Sequence, residues 1–172
     1  MKTIVVILMA VLTLVGCGSG GGHQSPTPTP TPVADGGFRS GDCNGVTDKD
    51  ILEAVGTKMF TKVVDSDAGC FWQEDTMLGT FGAGMGISTW WYRGSDMATE
   101  RELESQAGRA LTEMSIDGNT GFKASDDNAC SIYVAKGGDV ITWSIQTMNP
   151  AMLPDLCTIT EHLAQLSQER VN

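Results

Sequence analysis

Histidine is scarce in this chain, with two in 172 residues, His23 in a low-complexity stretch and His162 near the C-terminus. The five cysteines include no Cys-x-x-Cys pair. Both shortages argue against structural zinc, which needs four closely spaced thiolate or imidazole ligands. Gly-x-Ser-x-Gly is missing too. Without that elbow or a free thiol, His162 has no nucleophile to activate, and it reads as an ordinary helix residue. The glycine run 79–86 offers no Gly-x-Gly-x-x-Gly register, which removes the dinucleotide fingerprint. Asp65-x-Asp67-x-Gly69 has its glycine one place early for a calcium loop and reads as a solvated turn. Catalytic, cofactor and metal residues are therefore all expected to be none. Basic residues are few, 11 against 21 acidic ones, for a net charge of −10. Such a surface repels nucleic acid and anionic headgroups. Nor is there a long apolar run at the N-terminus: Thr3 to Val15 is 13 residues, where a bilayer needs about 20.

What is present at the N-terminus is an export signal. Lys2 supplies the positive start, Thr3 to Val15 the apolar stretch, and Leu14-Val15-Gly16-Cys17 a small-residue cleavage site ending on cysteine. The motif resembles bacterial lipoprotein signals, in which prolipoprotein diacylglyceryl transferase lipidates the thiol and lipoprotein signal peptidase cuts before it. The resemblance makes residues 1–16 the signal peptide and Cys17 the lipidated first residue of the mature chain. Cleavage removes Lys2 and no acid, so the mature chain is more acidic still. Attachment must then come from acyl chains, each buried methylene contributing about 0.8 kcal/mol. The expected location is the plasma membrane, lipid-anchored on its extracytoplasmic face.

Residues 17–38 form a tether, Gly-rich at both ends with a Thr-Pro repeat from Pro26 to Pro32. It has no recurring apolar residue to bury, which predicts an extended, disordered spacer. Residues 39–172 make one globular domain. Its four cysteines, Cys43, Cys70, Cys130 and Cys157, are an even number in a chain destined for an oxidising compartment, and predict two disulfides. Three connectivities are open. The equal spacing of 27 positions from Cys43 to Cys70 and from Cys130 to Cys157 favours neighbours.

A helix is predicted from Thr47, its N-cap, to a stop at Gly56, burying Ile51, Leu52 and Val55. Strands follow at Cys70 to Gln73 and Ile87 to Tyr92, the second placing Trp90 and Tyr92 on one face and Ile87, Thr89 and Trp91 on the other. Asp96 caps a helix whose apolar positions are read as Leu103, Ala107, Ala110 and Leu111. Alternating strands then turn at Asp117-Gly118 and Gly137-Gly138, and a last helix from Asp155 to about Gln168 buries Ile159, Leu163 and Leu166. The order αββα, further strands, then a C-terminal helix lacks βαβ alternation. It predicts an α+β domain, a mostly antiparallel sheet covered by helices.

Several of these features occur together in a known group. The lipidation motif, the low-complexity tether, Cys70-x-Trp72, Trp91-Tyr92-Arg93-Gly94-Ser95 before a charged helix, Ile116-Asp117-Gly118 with Gly121-Phe122, and a last cysteine opening the final helix resemble mycobacterial LprB/LprC-type lipoproteins, within a broader actinobacterial cell-envelope family of unknown function. The resemblance spans most of residues 43–168 and implies an envelope anchor at Cys17. It carries over no catalytic residue. The function expected is a non-catalytic binding or accessory module whose partner is an envelope protein or a hydrophobic ligand. The candidate patch is Phe81, Met85, Trp90 and Tyr92, and residues 79–86 read either as a plain connection between antiparallel strands or as a mobile flap over that patch. Alternatives are a small envelope enzyme using Glu74, Asp75, Asp126 and Asp127, or a purely structural envelope protein.

Overall fold

Thr47 opens the first helix with a reciprocal cap: its hydroxyl accepts from the Asp50 amide, and Asp50 Oδ2 accepts from the Thr47 amide at 2.8 Å. Gly56, left-handed at φ 77°, closes it. This helix, α1 (Asp48–Val55), belongs to a computed structural model that describes residues 42–56, 60–75, 84–149 and 155–171, all within the unit Val33–Asn172. The signal 1–16, Cys17, the tether 17–38 and Phe81 lie outside the described residues.

Seven strands follow: β1 (Phe60–Asp65), β2 (Gly69–Glu74), β3 (Gly86–Tyr92), β4 (Ala110–Ile116), β5 (Asn119–Ser125), β6 (Ala129–Lys136) and β7 (Asp139–Gln146). They form one antiparallel sheet ordered β1-β2-β3-β7-β6-β5-β4. The domain is α+β, as the lack of βαβ alternation predicts. Asp117-Gly118 joins β4 to β5 with φ 49° and 78°, and Gly137-Gly138 joins β6 to β7 with φ 58° and 93°. Positive φ at both central residues marks the tight turns that match strand twist.

One sheet face carries Trp72, Ile87, Ile132, Ile141, Trp143 and Ile145, each exposed by 1% or less. Trp72 and Trp143 stack at 6.1 Å. The helix α3 (Leu156–Arg170) lies on this face through Ile159, Leu163 and Ala164, and α1 adds Ile51. Two disulfides fasten the cover. Cys43–Cys70 ties the 3₁₀ turn Cys43–Gly45 to β2, and Cys130–Cys157 ties β6 to the first turn of α3. Trp72 Nε1 donates to Asp48 Oδ1 at 2.8 Å, so the buried indole also holds α1.

Two expectations need correcting. The Asp96-capped helix, α2 (Met97–Gln106), stops at Ala107, because Gly108 turns left-handed at φ 81°, and Ala110 and Leu111 begin β4 instead. Leu103 points outward and is 57% exposed, whereas Glu100 and Glu104 are buried. The chain also contains β1, an edge strand between α1 and β2 that the alternation did not reveal. Its Val63 and Val64 are both exposed, and a bulge between Lys62 and Val64 breaks the period of two.

Each disulfide closes a loop of 27 positions. Replacing Cys130 and Cys157 together by serine is expected to cost roughly 3 to 4 kcal/mol in a denaturant titration. Peptide mapping without reduction should find Cys43 with Cys70, and Cys43 with Cys157 as the major species would contradict it.

Asp50 supports a second prediction. Arg170 bonds Asp50 at 2.6 Å and 3.2 Å, and this contact, against the opposing effect of burial, holds the carboxyl well below the usual carboxylate range. The folded state thus prefers the ionised form. Its stabilisation is present above the unfolded value, about 3.9, and is lost as pH falls below it. Asp50→Asn should lower the melting temperature most near neutral pH, with the gap to the parent closing below about pH 4.

Candidate functional site

Among the described residues, the second face of the sheet is covered by a helix at one end only. Under α2, Phe122 stacks on Tyr133 at 4.5 Å beside Ala124 and Val140, with Met97 and Leu111 at the margin. Arg101 lies over the Phe122 ring and pairs with Glu113. The inner side of α2 is polar because it meets polar groups. Glu104 accepts from the Tyr133 hydroxyl and from Arg109 Nη1 at 3.2 Å, and Glu100 accepts from Ser95. Burial, reinforced by the Glu104 bond, pushes the Tyr133 phenol up out of its ordinary range. Burial likewise raises Tyr92, near Glu100. Tyr92 is exposed at the end of β3. It does not line the groove described next.

The other half of the face, across β2, β3 and β7, is an open groove of about 460 Å³, within the range of roughly 300 to 1,000 Å³ typical of ligand sites. Phe71, Met85, Trp90 and Met148 supply its apolar atoms, and Gln73, Ser88, Ser144 and Gln146 its polar ones. None of the described residues lining it is charged, in a chain that is 19% Asp, Glu, Lys and Arg.

Two glycines set the groove's geometry. Gly69 is the direct partner of Trp90 across β2 and β3, and a Cβ there would sit 2.3 Å from a carbon of the indole. A Cβ on Gly86 would sit 2.9 Å from the Phe71 ring. Both rings therefore lie against glycine backbone, a close approach that only a residue without Cβ permits. Both rings line the groove.

A second recess of about 410 Å³ adjoins the first through Gln146 and Thr147, which line both. It is polar, with Arg109, Asp126, Asp127 and Asn128. A hydrogen-bonded line connects the groove to the cluster under α2. Ser144 Oγ meets Ser131 Oγ at 2.8 Å, and Arg109 Nη1 donates to Ser131 Oγ at 2.9 Å and to Glu104.

The sequence-predicted site residues separate accordingly. Trp90 lines the groove, half-buried. Met85 also lines it but is 1% exposed and part of the core, and its backbone exchanges bonds with Glu74. Residues 84–86 are thus sheet scaffold and correct that part of the expected flap, while 79–83 lie outside the described residues. Three of the four candidate carboxylates accept structural hydrogen bonds. Glu74 accepts from the Met85 amide at 3.1 Å, Asp75 from Thr61 at 2.9 Å, and Asp126 from the Asn128 amide at 2.7 Å and from Arg109, while Asp127 stands exposed in the same turn. Among the described residues no group of three or more His, Cys, Asp or Glu is placed to hold a metal ion, and no helix is long and apolar enough to cross a membrane. Phe71, Gln73, Ser88, Gln146 and Met148 were missed. Their only signal was alternation with the buried residues of β2, β3 and β7, which marks a face without saying that it is uncovered.

Comparison with known proteins adds the following. The chain is 29% identical over 132 residues to the "Putative lipoprotein LprB" of Mycobacterium tuberculosis H37Rv, covering 73% of this chain and 68% of that one. Proteins of the same name from Mycobacterium bovis and Mycobacterium leprae are 28% and 26% identical over 131 residues, covering 73% of this chain and 68% and 67% of theirs. No solved structure matches it. A family model described as "Protein of unknown function (DUF3558)" matches residues 12–170. A match of that extent takes in every described strand and helix as well as Cys17, and the chain belongs to the DUF3558 family, whose function is unknown.

Proposed function

We propose that this protein is a lipid-anchored lipoprotein of the extracytoplasmic face of the plasma membrane. It acts there as a non-catalytic binding or accessory module, through the open half of its sheet. Residues 1–16 are the signal peptide, 17–38 the lipidated cysteine and tether, and 39–172 the binding domain. Maturation uses prolipoprotein diacylglyceryl transferase and lipoprotein signal peptidase. The anchor reading is supported by the Leu14-Val15-Gly16-Cys17 motif and by relatives named as lipoproteins. The observation that carries the binding reading is the uncharged groove against Trp90 and Phe71, left open on a sheet whose opposite face is closed by two helices. Its occupant is an envelope component that presents an apolar surface, either a hydrophobic ligand or a side chain of a partner protein. Single scattered apolar residues on a surface need no explanation, but two rings and two methionines gathered in one recess do.

The anchor is tested by Cys17→Ala, which should abolish incorporation of labelled fatty acid, since it removes the thiol to which the acyl-bearing group is attached. Retained labelling would overturn it. Binding is tested by hydrogen exchange on the lipidated chain, with and without a total envelope extract, aqueous and organic fractions together. Amides of 86–92 and 144–148 should exchange more slowly in its presence. If neither fraction slows them, the groove is not a binding site.

A further inference from the structure

We infer that the groove takes a neutral saccharide, with a second sugar unit reaching the recess at Asp126 to Asn128. The inference rests on the groove being a binding site, as proposed above, and narrows the apolar surface of its occupant to the C–H face of a sugar.

Three observations point to it together. The first is the pair of aromatic rings over glycine. Gly69 and Gly86 leave room for the Trp90 and Phe71 rings close to the backbone, and both rings line the groove. Aromatic rings suit the C–H face of a pyranose, which is apolar on one side and edged with hydroxyls.

The second is the set of polar groups around those rings. Gln73, Ser88 and Gln146 line the groove, and their side chains have no hydrogen-bond partner within the described protein. The two amides each offer donors and an acceptor, which matches a hydroxyl that must both give and take a bond. A hydrocarbon chain placed here would strip water from all three and return nothing, a penalty for every buried polar group left unpaired. A polyol replaces the lost water bonds.

The third is charge. The groove lining has none among the described residues. The adjoining recess has Asp126 and Asp127 beside Arg109, and Arg109 is already engaged with Asp126 at 3.2 Å, Glu104 at 3.2 Å and Ser131 at 2.9 Å. A phosphate or carboxylate would meet two carboxylates and a guanidinium committed elsewhere, and the chain as a whole is at −10. A neutral hydroxylated ligand meets no such repulsion. Its hydroxyls can donate to Asp127 and to the free lone pairs of Asp126, as carboxylates are acceptors only when ionised. Because Gln146 and Thr147 line both recesses, one chain of sugars can occupy them in sequence.

The test uses the full lipidated chain carried on phosphatidylcholine nanodiscs, with empty nanodiscs titrated identically as the blank, and measures by calorimetry the binding of maltotriose, cellotriose, mannotriose and galactotriose, and separately of decanol as a smaller apolar probe whose heat above the blank is read. At least one trisaccharide should bind saturably, and the matching monosaccharide at least tenfold more weakly. Trp90→Ala should reduce the affinity tenfold or more. Trp90→Phe should restore part of it, and Gln146→Leu should weaken saccharide binding while leaving decanol unchanged or improved. Thermal unfolding of each variant guards against a folding defect, and Gln146→Leu changes an exposed side chain outside the core. Decanol binding, or groove protection by envelope extract, without binding of any trisaccharide would overturn this inference and leave the binding module standing. Absence of all three would remove both.

Discussion

Both disulfides pull helical chain onto the same face of the sheet. Cys43–Cys70 seats the turn before α1 on β2, and Cys130–Cys157 seats the start of α3 on β6. Between these two points lies the core of Trp72, Trp143 and the isoleucines of β3, β6 and β7. The asymmetry of the domain follows. With two helices committed to one face by covalent bonds, the only described helix left for the other is α2, whose ten residues are too short to cover seven strands. An open half-face is the geometric consequence, and the groove occupies it.

The cover that α2 does provide is unusual in sign. Its inner side carries Glu100 and Glu104, its outer side Leu103. Buried carboxylates are tolerated when every one of them is bonded, and here a phenol, a guanidinium and a serine hydroxyl do this. Apolar burial contributes little to the seat of α2, so its position depends on directional bonds rather than on area. The same bonds run through Ser131 and Ser144 to the groove, which places Arg109 as a common support of both halves of the face.

Much of the architecture was legible because local and tertiary requirements agree. Thr47 and Gly56 bound α1, Asp117-Gly118 and Gly137-Gly138 fold two hairpins, and the alternation of Ile141, Trp143 and Ile145 marks a strand with one buried face. Where the two disagree, pattern reading failed. Leu103, Ala107, Ala110 and Leu111 have helical spacing, but Gly108 ends the helix and the inner face needs charges that match Tyr133 and Arg109. β1 carries no alternation because, as a bulged edge strand, it buries neither face well.

The sequence by itself determined the lipoprotein-like motif at Cys17, the α+β class, the bounds of α1 and the two glycine hairpins, because these depend on residues near one another in the chain: a cysteine after small residues, a cap, a glycine at positive φ. Its four paired cysteines announced two bridges, but which sulfurs lie about 5 Å apart at their Cα atoms is a matter of three dimensions. So is the groove. Phe71, Trp90, Gln146 and Met148 come from three strands and a loop, and whether a strand's second face meets a helix or solvent depends on where the covering helices are fastened. Alternation states that a strand has two faces. Only packing decides which of them stays open.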